Sequence, residues 1–99
     1  MNINSIPESF QSKIRIAIIS TLITGDKSFN EIKEITKATD GNLSVHLSKL
    51  EEMGYLTVTK EFIGKKPRTT YSLTETGRNE FVEYVFLLEK LLTDAKSQN

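Results

Sequence analysis

From Ser5 to Thr24 the apolar residues recur at helical spacing. Phe10, Ile14, Ala17, Ile18 and Leu22 mark one stripe, and Ile16, Ile19 and Ile23 widen it past what a single core face needs. That width predicts a helix buried on two sides. Pro7 suits the first turn, where a missing N–H costs nothing, and Glu8 complements the positive end of the helix dipole. Gly25-Asp26 reads as a stop. Ser28 to Thr36 reads as a shorter helix. Ser28 and Glu31 have the S-x-x-E spacing of a capping box, and Phe29, Ile32 and Ile35 are its inward residues. A short connector, Lys37 to Asp40, leads to a third helix from about Gly41 to Met53, capped by Thr39 or Asp40. Gly54 is placed to end that helix in the left-handed conformation.

The period then changes from helical to two. Leu56, Val58 and Lys60 share one parity and Tyr55, Thr57 and Thr59 the other, so Tyr55 to Phe62 predicts a strand. Ile63 to Pro67 reads as a hairpin loop, and Arg68 to Leu73 as the returning strand. Thr74 can cap a last helix from Glu75 to about Lys96. Along it Phe81, Tyr84, Val85, Leu88, Leu91, Leu92 and Ala95 follow steps of three and four, with Val82, Phe86 and Leu87 off that seam.

The expected fold class is therefore mainly α with a small β-hairpin, in the order α-α-α-β-β-α. This is the order of a winged helix-turn-helix, in which the second helix of the central pair enters the DNA major groove. One domain spans 1–99. It divides into an N-terminal helix (1–24), a helix-turn-helix (28–54), a wing hairpin (55–73) and a C-terminal helix (74–97).

Candidate contacts follow from the third helix drawn at 100° per residue. Leu43, Leu47 and Leu50 fall within about 60° of one another and form the inner stripe. Ser44, Val45, Ser48 and Lys49 lie opposite. Hydroxyls can bond to base edges or phosphate, and Val can touch a thymine methyl. Asn42, near the helix start, is within reach of phosphate or adenine. On the hairpin, Lys65, Lys66 and Arg68 cluster beside Gly64 and Pro67, and the stretch from Lys60 to Arg68 carries four cations and one anion. Such a tip suits phosphate or a narrow minor groove. His46 lies at the edge of the inner stripe. It is open to three roles: a DNA contact, a pH-sensitive contact, or local packing with a hydrogen bond.

Composition trims the alternatives. The chain of 99 residues balances 13 Lys and Arg against 13 Asp and Glu. Neutrality argues against a polybasic binder, yet residues 74–99 hold three cations and five anions, so the rest of the chain is slightly positive. With no cysteine and one histidine, neither a disulfide framework nor a metal site is expected. No nucleophile, metal or phosphate-loop constellation supports an enzyme, and no cofactor is expected. Apolar runs are too short for a membrane span, and a cytoplasmic location is expected.

The run Phe29-Asn30-Glu31-Ile32-Lys33 resembles the start of the second helix in small prokaryotic winged-helix regulators. Asp40 to Tyr55 is similar to their recognition helix and its exit, and Lys66 to Arg78 to their wing and return strand. The resemblance runs from about Lys13 to Leu92 and points to regulators related to the MarR, ArsR and PadR groups. It implies a homodimeric transcriptional regulator, a repressor more often than an activator, on a near-palindromic double-stranded operator. By this resemblance Asn42, Ser44, Val45, Ser48 and Lys49 are recognition-helix contacts, and Lys65, Lys66 and Arg68 are wing contacts. The lack of cysteine speaks against the metal sensing of several ArsR-like members, and no small-molecule effector is specified. Surplus apolar surface on the first and last helices assigns the dimer interface to Ile16, Ile19, Ile23, Phe81, Tyr84, Val85, Leu88, Leu91 and Leu92. The alternative is a winged helix used as a protein-interaction module without DNA.

Overall fold

The computed structural model describes residues 12–97. It contains α1 (Lys13–Ile23), β1 (Lys27–Ser28), α2 (Phe29–Thr36), α3 (Asp40–Glu52), β2 (Leu56–Ile63), β3 (Lys66–Leu73) and α4 (Glu75–Ser97). The expected opening turns of the first helix, with Pro7, Glu8 and Phe10, lie outside the described residues.

The core is built around α1, which packs against α2, α3, β3 and α4. Ile18, Ile19 and Leu22 of α1 meet Ile32 of α2, Leu43, Leu47 and Leu50 of α3, and Tyr55 and Leu56 at the head of β2. Burying each such aliphatic side chain contributes about 1.5–3 kcal/mol. The expected burial of the first helix on two sides holds. Its consequence is that Ile19 is 0% exposed inside the protein's own core, so its assignment to a dimer surface is corrected. Ile35 is a second correction. It is 54% exposed, because it lies about 60° round the helix from fully buried Ile32 and past the edge of the packed face.

The two central helices are set by local chemistry. Ser28 Oγ accepts from the Glu31 N–H and Glu31 accepts from the Ser28 N–H, closing the capping box. The turn to α3 passes through Lys37 at φ 60°, a left-handed position held without glycine. Thr39, rather than Asp40, caps α3 by accepting from the Asn42 N–H. Gly54 takes φ 82° after α3, as its position predicts.

The sheet has three strands, not two. β1 pairs antiparallel with β3 through Lys27↔Tyr71 and Ser28↔Thr70, giving the order β1-β3-β2. Two residues carry no readable periodicity, which is why the sequence pattern misses this strand. The hairpin is also tighter than expected. β2 and β3 remain paired as far as Ile63↔Lys66, so the loop is Gly64-Lys65 and not the five residues 63–67.

Thr74 ties the sheet to both flanking helices. Its Oγ1 donates to the Gly54 carbonyl at 2.7 Å and accepts from the Gly77 N–H at 3.0 Å, so it caps α4 while holding the exit of α3. Along α4, Phe81 and Tyr84 pack against the core, whereas Val82, Phe86, Leu88, Leu91 and Leu92 are exposed.

Candidate nucleic-acid interface

The outward face of α3 is set by its inward one. Leu43, Leu47 and Leu50 are 0–1% exposed, which fixes the helix's rotation about its axis. Asn42, Ser44, Val45, Ser48 and Lys49 consequently all face solvent. Val45 is 58% exposed, an aliphatic side chain with no core role. No side-chain hydrogen bond or ion pair among the described residues engages Ser44, Ser48 or Lys49. Their polar groups are available to base edges or phosphate.

Two polar contacts anchor this helix, and neither is visible in local sequence. Lys33 Nζ of α2 sits 2.7 Å from Asp40 Oδ1 in the first turn of α3. The acid also complements the N-terminal end of the helix dipole. Deeper in, Arg15 of α1 donates from Nε to His46 Nδ1 at 3.2 Å. Of the three roles open to His46, this contact supports local packing with a hydrogen bond. An accepting Nδ1 assigns the imidazole proton to Nε2. Burial, and then the charge of Arg15, push the His46 pKa below the usual histidine value.

On the wing, the three cations differ. Lys65 and Lys66 are exposed and enter no ion pair among the described residues. Arg68 instead lies 3.3 Å from Glu31 Oε1, joining the wing to the capping box of α2. Glu31 thus bonds both the Ser28 backbone N–H and the Arg68 guanidinium. Those Ser28 bonds first, and then Arg68 and Lys27, hold its carboxyl below the usual carboxylate range. Both partners are about half exposed, so the pair adds little stability. Ser28, Glu31, Lys66 and Arg68 line an open groove between the start of α2 and the wing.

The sequence pattern passes over two further features of the wing. Phe62 and Ile63 stand in water at 73% and 57% exposure. In the sequence Phe62 closes the expected strand and Ile63 opens the expected loop, and only the register shows that β2 carries both beyond the core. Among the described residues no three His, Asp or Glu side chains gather as a metal site, and no helix is long and apolar enough to cross a membrane.

Comparison with known proteins agrees with this geometry. A family model described as a winged helix DNA-binding domain matches residues 14–92. An uncharacterized protein of Methanocaldococcus jannaschii is 36% identical over 83 residues, covering 83% of this chain and 90% of its own. Among solved structures, a protein of Enterococcus faecalis V583 assigned to the MarR family of transcriptional regulators superposes with a TM-score of 0.81 at 23% identity, over 97% of this chain and 87% of that one. PadR of Bacillus subtilis, solved in complex with operator DNA, gives 0.69 at 20% identity, over 86% of this chain and 60% of that one.

Proposed function

Because the chain belongs to the family of winged helix DNA-binding domains, we propose that it is a transcriptional regulator that binds double-stranded DNA sequence-specifically. The observation that carries this reading is the two-sidedness of α3. Its three leucines are locked in the core while Ser44, Val45, Ser48 and Lys49 form an exposed face of hydroxyls, one methyl-bearing group and one cation. That face enters the major groove with Asn42 near its start, and Lys65 and Lys66 meet the backbone or the minor groove. Arg68 joins them by exchanging Glu31 for phosphate. His46 positions the helix through Arg15 and does not read bases. That PadR of Bacillus subtilis was solved on operator DNA supports the same use of the fold here.

The working unit is a homodimer. Support comes from α4, where Val82, Phe86, Leu88, Leu91 and Leu92 leave more apolar surface in water than a monomer needs. Ile16, Ile23, Phe81, Tyr84 and Val85 are half-buried, and the proposal assigns them to the same interface. Two-fold symmetry separates the recognition helices by roughly 34 Å, one turn of DNA, and makes the operator near-palindromic. Occupying a promoter in the cytoplasm, the dimer represses transcription and catalyses nothing.

Selection from a pool of random duplexes tests the reading. An enriched near-palindromic site is expected, and no enrichment would overturn it. On that site Lys65→Ala should weaken binding to selected and random duplexes alike and flatten the salt dependence by about 0.9 in log–log slope for each lost phosphate contact. Ser48→Ala should instead change which sequence is selected. Identical effects of the two substitutions on specific and random DNA would refute the division of labour.

A further inference from the structure

The wing ends in apolar side chains that the core does not use, and the hairpin fixes where they stand. The two strands stay in register to their last pair, Ile63↔Lys66. Gly64 has φ 66° and Lys65 is not at positive φ, the pattern of a type II′ turn, whose twist matches the flanking strands. A two-residue turn closes on a hydrogen-bonded pair, which makes Phe62↔Pro67 a pair of the other kind, with side chains brought closest. Pro67 therefore loses no bond to β2, and β1 does not reach far enough along β3 to need its N–H. The result is a fixed two-residue apolar face at the tip.

Cations flank that face. Lys60 precedes Phe62 on the same side of the strand, Lys65 occupies the turn, and Lys66, paired with Ile63, stands at the tip on the other face of the hairpin. A protein partner with an apolar pocket would have to accept these charges as well. A polyanion is attracted by them, and the minor groove offers phosphate walls about an apolar wedge.

We propose that Phe62 and Pro67 form a wedge that enters the minor groove of double-stranded DNA beside the stretch contacted by α3, with Lys60, Lys65 and Lys66 on the flanking phosphates. This rests on the DNA-binding reading above and adds a contact that a purely basic wing does not make. A wedge works by parting a base step and bending the duplex, so the flank should favour flexible pyrimidine–purine steps, although no side chain reads a base edge there.

The test uses the full chain and the duplex selected by the wild-type protein. Affinity is read by fluorescence anisotropy across a salt series, and bending by energy transfer between dyes at the duplex ends. Phe62→Ala should bind about tenfold more weakly, keep the wild-type salt slope and bend the duplex less. Phe62→Leu should recover part of both losses. Phe62 is 73% exposed, so thermal unfolding of the variants should match the wild type and serves as the control for folding. Unchanged affinity and bend in Phe62→Ala would overturn the wedge and leave the DNA-binding reading standing. A wild-type protein that binds no duplex would overturn both. An altered oligomeric state by sedimentation, with DNA affinity kept, would overturn the wedge in favour of a contact between copies.

Discussion

The third helix and the wing both present side chains to solvent, but they are positioned by different means. α3 is held from behind: three leucines at 0–1% exposure set its rotation, and Lys33 and Arg15 fix its start and its flank. The wing is held along its length, since every residue from 59 to 68 is exposed and the β2–β3 ladder and the Arg68–Glu31 pair define its course. The outer face of α3 can exchange its exposed side chains but cannot be re-aimed without cost to the core behind it. The tip of the wing has no core behind it, so changes there cost the fold little.

The sharpest way to break that contrast is to make the same kind of cut in both places. Leu47→Ala should cost about 2–4 kcal/mol in chemical denaturation, because it opens a cavity under α3. Phe62→Ala removes a larger side chain and should stay within about 0.5 kcal/mol of the wild type. Comparable losses at the two sites would mean that the tip is packed in solution and that the contrast is false.

The next test asks where the free part of the wing begins. Gly77, in the first turn of α4, lies against the foot of the hairpin. A Cβ built there would come 2.6 Å from the Tyr55 carbonyl oxygen and 2.9 Å from Leu73 Cδ1. In an ordinary helix Gly→Ala gains up to about 1 kcal/mol. Here the sign reverses, and Gly77→Ala should destabilise by about 1–3 kcal/mol, as overpacked sites do. The thermal midpoint measures it directly. A rise in midpoint would show that the foot yields as readily as the tip.

Much of α3 was legible because its information is local. A cap at Thr39, leucines at helical spacing and Gly54 at the exit each act within a few residues. The capping box of α2 and the cap at Thr74 were legible for the same reason. What escaped was carried by pairing across the chain. Strand β1 exists only because β3 lies beside it. The Arg68–Glu31 pair spans 37 positions and the Arg15–His46 bond 31, so neither leaves a local trace. Ile19 was misjudged in the opposite sense. A wide apolar stripe predicts two buried sides but not which neighbour covers each, and here α2, α3, β3 and α4 all close on α1. The exposed residues of α3 followed from its buried ones, whereas those of the wing depended on how far the ladder extends beyond the core.

The smallest expected effect separates the two regions by pH. His46, the chain's one histidine, is on α3, and the wing carries none. Burial and Arg15 lower its pKa in the folded protein, so the unfolded chain binds the proton more readily. Stability is therefore fully present above about pH 6.5 and falls as pH drops through the depressed folded value. Protonation at Nδ1 would also replace the acceptor facing Arg15 Nε with a donor. Glu31 acts in the same direction, but only in the more acidic range of carboxylates. His46→Asn keeps an acceptor for Arg15 and removes the titration. It should flatten the stability profile between about pH 7 and 5, while Phe62→Ala leaves the profile unchanged. A wild-type profile that is already flat across this interval would show that the bond to Arg15 does not couple α3 to the protonation of His46.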